Sequence, residues 1–327
     1  MARLALLVGI DDYPTAPLGG CVNDATWMHR LLFRHHDKSP NFEARILVAP
    51  RDPMAPVTLK TYDQVTRPKL KQAVEDLFKR QADVSLFFFA GHGTANNLGG
   101  YLVTQDAKKY DEGLSMTDVL TMANNSPALE RIIVLDCCQS GAMGQLPAIN
   151  NDTAMLKEGV SVLSACRESE VAMETGGGGL FTSLVCDALG GGAADVCGKV
   201  TIASVYAYVD EALGGFDQRP LFKAHVSKLV CLRKCPMVVD AEILRLLPTY
   251  FASPTIEYPL DPSYEPTMEP HDREHEKTFG HLQELRAARL LVPVGEKHMY
   301  YAAVHSKSCR LTPLGIHYWH VANSGRL

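Results

Sequence analysis

The sequence predicts an α/β protein: a mostly parallel six-stranded sheet flanked by helices, followed by a small C-terminal α+β domain. Three observations carry this. Short apolar runs rich in branched and aromatic residues, such as Val84-Ser85-Leu86-Phe87-Phe88-Phe89-Ala90 and Arg131-Ile132-Ile133-Val134-Leu135, stop abruptly at glycine or aspartate. That is the pattern of strands buried on both faces. Up to residue 235 such runs alternate with stretches of helical length, and a βαβ rhythm builds a parallel sheet covered on both sides. Beyond that point the chain changes character, with prolines at 254, 259, 262, 266 and 270 in an acidic stretch.

In chain order, strands are expected at residues 4–10, 44–48, 84–90, 131–136, 159–165 and 224–232. Helices are expected between them at 23–33, 68–81, 115–124, 180–189 and 202–213, with Ser115 placed to cap the third. Loops at 50–56, 139–158 and 174–179 interrupt the pattern, and loops at the carboxyl edge of a sheet usually hold substrate. The run Gly176-Gly177-Gly178-Gly179 is followed by Leu180-Phe181, not Lys-Ser/Thr, so it is not a phosphate loop.

Residues 1–235 therefore read as one domain, 236–274 as a helical and proline-rich linker, and 275–327 as a second domain. In the last, a helix over 278–288 leads into Arg289-Leu290-Leu291-Val292-Pro293-Val294, a Gly295-Glu296-Lys297 turn and Met299-Tyr300-Tyr301-Ala302-Ala303-Val304, a β-hairpin signal. A short helix after Leu311-Thr312-Pro313-Leu314-Gly315 completes a loose resemblance to a winged helix. Tyr300, Tyr301, Tyr318 and Trp319 are expected in its core, and His298, His305, His317 and His320 show no metal-ligand spacing.

Composition removes several function classes. The net charge of -5 over 327 residues argues against a chain-wide nucleic-acid footprint. No apolar run reaches the roughly 18 residues of a membrane span. The apolar start runs into Asp11-Asp12 without a small-residue cleavage site, so it reads as a first core strand and not a signal peptide. Nine cysteines without a framework spacing or a CxxC pair fit a reducing cytoplasm and argue against a structural zinc.

Two segments carry chemistry: Gly91-His92-Gly93, and Asp136-Cys137-Cys138-Gln139-Ser140-Gly141. Each follows a predicted strand, and open α/β sheets place chemistry beyond the carboxyl ends of their strands. A cysteine needs a base to form its thiolate and to protonate the leaving amine, and His92 can do both. Gly93 lets a backbone N–H approach an oxyanion, and the nucleophile's own N–H supplies a second donor. Adjacent strand residues face opposite ways, so only one of Cys137 and Cys138 should reach the cleft. Both could instead be buried core thiols.

These segments resemble the two catalytic motifs of the caspase-like superfamily (the C14 peptidases), nearest to bacterial caspase homologues and metacaspases. Further matches occur in order: Ala5-Leu6-Leu7-Val8-Gly9-Ile10-Asp11-Asp12-Tyr13, Leu18-Gly19-Gly20-Cys21-Val22-Asn23-Asp24-Ala25, Leu163-Ser164-Ala165-Cys166, Gly179-Leu180-Phe181-Thr182 and Gln218-Arg219-Pro220. The resemblance covers roughly residues 3–232. It implies a caspase-like sheet, Cys138 as nucleophile, His92 as base, and an oxyanion hole from Gly93 and Cys138.

Metacaspases cut after arginine or lysine with acidic pocket residues, and the matching positions here are Asp136 and Asp24, with Cys21 beside Asp24. Two carboxylates suit a guanidinium and repel an aspartate substrate. The chain departs from the metacaspase pattern at Ala90, often Ser, and at Gln139, commonly His. For Asp24 the competing reading is a helix N-terminal carboxylate, and for Asp136 a loop cap.

The resemblance implies a cytoplasmic thiol endopeptidase acting on protein substrates in a stress, defence or cell-death pathway. The alternative is a catalytically silent scaffold or binding module. No cofactor is required. Calcium stays open through Asp106, Asp111 and Asp118, which form no EF-hand pattern. Self-cleavage would need a basic residue such as Lys157 or Arg167. An activating protease, or a regulatory partner taken by the C-terminal domain, fits better than nucleic acid or membrane.

Overall fold

Six apolar runs assemble into one sheet: β1 (Arg3–Ile10), β2 (Glu43–Ala49), β3 (Val84–Ala90), β4 (Glu130–Asp136), β5 (Val160–Ser164) and β6 (Leu221–His225). The computed structural model describes residues 2–51, 64–96, 99–109, 111–137, 156–165, 178–214 and 220–327, with only the backbone of 149–150, 153–154 and 174–175. They divide into two compact units, Met1–Ala194 with Lys199–Cys235, and Asp195–Gly198 with Pro236–Leu327.

In the first unit the strand order is β6-β5-β4-β3-β1-β2. Neighbours run parallel except β6, which pairs antiparallel to β5, so the sheet is mixed with one reversed edge. Alternation along β3 sends Phe87 and Phe89 into one core and Leu86, Phe88 and Ala90 into the other. Helices α2 (Arg67–Lys79) and α3 (Met116–Asn124) cover the first face through Leu70, Val74, Leu77, Val119 and Leu120. Helices α1 (Cys21–Phe33), α4 (Leu180–Asp187) and α5 (Ile202–Leu213) cover the second through Ala25, Met28, Phe181, Val185 and Val205. Local signals agree with these ends: Ser115 caps α3 by accepting the Thr117 N–H, and Thr201 and Ser204 form a capping box on α5.

One expected strand needs correction here. The run at 224–232 is not one strand. A bend at Ser227-Lys228 splits it, and Cys231–Lys234 pairs instead with Lys199–Thr201. The polar stretch after His92, to which the sequence reading assigns no element, forms an antiparallel meander of Gly93–Asn96, Gly99–Lys108 and Asp111–Ser115.

The second unit holds α6 (Ala241–Arg245), α7 (Leu247–Tyr250), α8 (Arg273–Ala287), α9 (Met299–Val304) and α10 (Pro313–Asn323). Strands β7 (Tyr258–Pro259), β8 (Leu291–Val294) and β9 (Ser308–Leu311) form an antiparallel sheet in the order β7-β9-β8. The stretch expected as linker belongs to its core. Leu247, Phe251, Leu260 and Tyr264 pack with Phe279, Leu282 and Trp319, and the Trp319 Nε1–H donates to the Phe251 carbonyl at 2.7 Å. The expected winged-helix-like hairpin is replaced by β8–α9–β9, because Met299, Ala302 and Ala303 are buried at helical spacing. Tyr318 and Trp319 are core as expected, whereas Tyr300 and Tyr301 are 40% and 47% exposed.

Candidate active site

His92 begins two residues beyond β3, where the chain leaves the sheet to enter the meander. Parallel register sets Ala90 opposite Asp136, and the Gly91 N–H donates to the Asp136 carbonyl at 3.2 Å. The ends of β3 and β4 therefore lie side by side. The His92 Nε2 lies 2.6 Å from the Ala16 carbonyl. A carbonyl only accepts, so Nε2 carries the proton and Nδ1 is the nitrogen that can take one. Ala16 is held at φ 56°, a left-handed conformation that costs a residue with a Cβ roughly 1–2 kcal/mol. Such strain gathers at functional sites. No side-chain pattern reveals a backbone acceptor, which is why sequence reasoning missed Ala16. Tyr13 also contacts His92, its ring centroid 4.6 Å from the imidazole. Sequence reasoning gave it no role, although it closes the first motif, Ala5 to Tyr13.

Cys137 and Asp136 face opposite ways. Cys137 is 1% exposed and packs with Tyr13 in the core under α2 and α3. Asp136 points to the side covered by α1 and α4. Cys138 lies outside the described residues, as do Gln139, Cys166, Arg167, Gln218 and Arg219. Gly93 is half-buried in the meander opposite Leu102. Cys21 opens α1, its N–H donating to Asp11 Oδ1 at 2.8 Å.

The two predicted pocket acids come together at the head of α4. Asp24, 2% exposed, accepts the Gly179 N–H at 3.1 Å. Asp136, 6% exposed, accepts the Thr182 hydroxyl at 2.6 Å and its N–H at 3.3 Å. Open amides and the helix dipole there favour negative charge. Asp24 also stands in the first turn of α1, so its competing role as a helix N-terminal carboxylate is fulfilled alongside. A Cβ on Gly179 would overlap Asp136 Oδ2 and stand 3.3 Å from Asp24 Oδ2, and one on Gly178 would meet Asp24 Oδ1 at 2.6 Å. Only glycine lets the chain pass so close to both carboxylates. Cys186 on α4, which sequence reasoning missed, registers their field. Burial, then Asp24, Asp136 and Asp187, push its thiol up to about 12.

Each of the three calcium candidates has a partner within the protein. Asp106 accepts the Arg67 N–H and the Thr104 hydroxyl, Asp111 pairs with the Arg67 guanidinium, and Asp118 faces Lys71 at 3.8 Å. Among the described residues no three His, Cys, Asp or Glu side chains could together hold a metal. Lys157 sits in a turn, its N–H on Asn124 Oδ1, its Nζ on Asn125 Oδ1 and its carbonyl on the Val160 N–H.

Residues 2–231 match the family model described as Caspase domain (Peptidase C14). The chain belongs to that family. The chain is 31% identical over 156 residues to Metacaspase-7 of Arabidopsis thaliana, covering 44% of this chain and 36% of the plant protein. Against Metacaspase-3 of Trypanosoma cruzi the identity is 26% over 264 residues, 67% of this chain and 70% of the relative. Metacaspase-1B of Aspergillus oryzae is 27% identical over 205 residues, 58% of this chain and 46% of the fungal protein. The chain thus spans about a third to a half of the plant and fungal relatives. The crystal structure of protein GSU0716 from Geobacter sulfurreducens shares the fold, with a TM-score of 0.50 at 15% identity over 72% of this chain and 97% of that one. Among the described residues no helix is long and apolar enough to cross a membrane.

Proposed function

We propose that the protein is a cysteine endopeptidase that cleaves polypeptides after arginine or lysine, with Cys138 as nucleophile and His92 as base. Membership of the caspase family supports the reaction class. The observation that carries the specificity is the convergence of Asp24 and Asp136 at the head of α4, beside the strand end that leads to His92.

In this reading the Cys138 thiol gives its proton to His92 Nδ1, and the sulfur attacks the scissile carbonyl carbon. The resulting oxyanion takes N–H donors from Gly93 and Cys138. Collapse breaks the C–N bond, and Nδ1 returns the proton to the leaving amine. A water then loses its proton to Nδ1, attacks the thioester and frees the Cys138 thiol. The Ala16 carbonyl keeps Nε2 protonated throughout, so Nδ1 alone handles the proton. A substrate guanidinium or ammonium meets Asp24 and Asp136, with Cys21 on the same wall. No metal or other cofactor enters the cycle, a cytoplasmic setting keeps the thiol reduced, and the second unit takes a regulatory partner.

The test is a matched peptide series differing only at the cleaved residue, run on wild type and Asp136→Asn. A charge-assisted pair contributes about 1.5–3 kcal/mol, so Asp136→Asn should lower kcat/KM for the arginine peptide by about tenfold to a hundredfold. An unchanged arginine preference in that variant would remove Asp136 from the pocket.

A further inference from the structure

We propose that Tyr13 is the positioning residue for His92, its hydroxyl wedged into the β-ladder that carries the histidine. The inference rests on the reading of His92 as the base.

The meander pairs Gly93 with Leu102 and Thr94 with Tyr101, so the next pair in register is His92 with Val103. An antiparallel hydrogen-bonded pair exchanges two N–H···O bonds. Here one is made, from the Val103 N–H to the His92 carbonyl at 2.9 Å. The return bond is not direct. The Tyr13 hydroxyl stands in its place, accepting the His92 N–H at 3.0 Å and donating to the Val103 carbonyl at 3.2 Å. One oxygen inserted on one side holds the backbone at His92 away from Val103 and turns it out of the ladder. The Tyr13 ring lies against the imidazole at 55°, so a single side chain sets both the backbone and the ring of the histidine.

Tyr13 is 5% exposed, and burial raises its hydroxyl well above the ordinary tyrosine value, so it keeps the proton it donates. Gly91 makes room for it: a Cβ there would stand 2.5 Å from the hydroxyl oxygen and 3.0 Å from Phe89 Cζ. The first glycine of Gly-His-Gly thus admits the wedge.

The test uses the full chain with 15N-labelled histidine, the His92 resonances being assigned by their loss in His92→Ala. Wild type should show a single Nε2-protonated tautomer, and Tyr13→Phe should average the two ring nitrogens. On arginine peptides Tyr13→Phe should lose about 10- to 100-fold in kcat, the scale of a small misplacement of a reacting group, with KM within about twofold. Gly91→Ala displaces the same hydroxyl without changing Tyr13, and should reproduce both effects if Tyr13→Phe fails to fold. Tyr101→Phe, on the same meander, should change neither. Wild-type His92 resonances in Tyr13→Phe or Gly91→Ala overturn the proposal, whatever the rate. If wild type cleaves no peptide, the protease reading falls, and the tautomer shift alone decides on Tyr13.

Discussion

Asp136 and Cys137 are neighbours in the chain, and β4 turns one toward α4 and the other into the core beside Tyr13. That alternation makes the thiols separable by experiment. Cys137→Ala should cost about 1 kcal/mol of stability, the worth of a small buried group, and keep peptide cleavage, whereas Cys138→Ala should abolish it. Thermal unfolding and turnover on the same samples check this, and loss of activity in Cys137→Ala alone would reverse the assignment. Cys186 gives a pH test of the acid pair. Its raised pKa keeps the thiol neutral, so labelling by iodoacetamide at pH 8 should be slow and climb with pH toward 12. Asp24→Asn removes one cause of the shift, so the pKa should fall and labelling at fixed pH should speed up. Fast labelling of wild-type Cys186 at pH 8 would contradict the buried, acidic site. At this scale the charged partners were legible, because Asp24 and Asp136 fall in motifs. The Ala16 carbonyl and the Tyr13 hydroxyl wedge were not, because they depend on where the backbone runs.

Among elements, the parallel strands were readable because burial on both faces leaves continuous apolar runs. Helix α5 is legible at 202–213, where it is found, because its cap and its apolar spacing agree. The failures share a cause. The meander after His92 is polar and glycine-rich, so neither face shows alternation. Met299–Val304 carries two tyrosines and a valine that favour strand, while Met299, Ala302 and Ala303 at helical spacing decide the matter by packing. Prolines between 254 and 270 hid Phe251, Leu260 and Tyr264, which bury themselves in the second core. The contact of α10 with Leu290 gives an element-scale prediction. A Cβ at Gly315 would overlap the Leu290 carbonyl and meet Leu311 Cδ2 at 3.2 Å. Gly315→Ala should destabilise the second unit by about 2 kcal/mol through overpacking. A change under about 0.5 kcal/mol in chemical denaturation would show that α10 shifts freely.

For the whole molecule, the boundary near residue 235 was legible as a change in composition. The nature of the C-terminal region was not, because a proline-rich stretch with spaced aromatic residues can be spacer or core. Each unit buries a thiol raised to about 12, Cys186 by burial and the carboxylates around it, Cys309 by burial and Glu257. A group with a raised folded pKa stabilises below its unfolded value, about 8.5 for cysteine, and loses that contribution as pH rises toward the folded value. Both units should therefore lose stability between about pH 8.5 and 12, as read by fluorescence-monitored urea unfolding, and Cys309→Ala should flatten the loss in the second. In the proposed function the protein is a thiol endopeptidase with an acidic pocket. The most direct measurement is cleavage of fluorogenic peptides ending in Arg, Lys or Asp by wild type and Cys138→Ala, with and without calcium. The expected result is cleavage after Arg and Lys, none after Asp, independence of calcium, and complete loss in Cys138→Ala. Cleavage after Asp, or activity that survives Cys138→Ala, would contradict it.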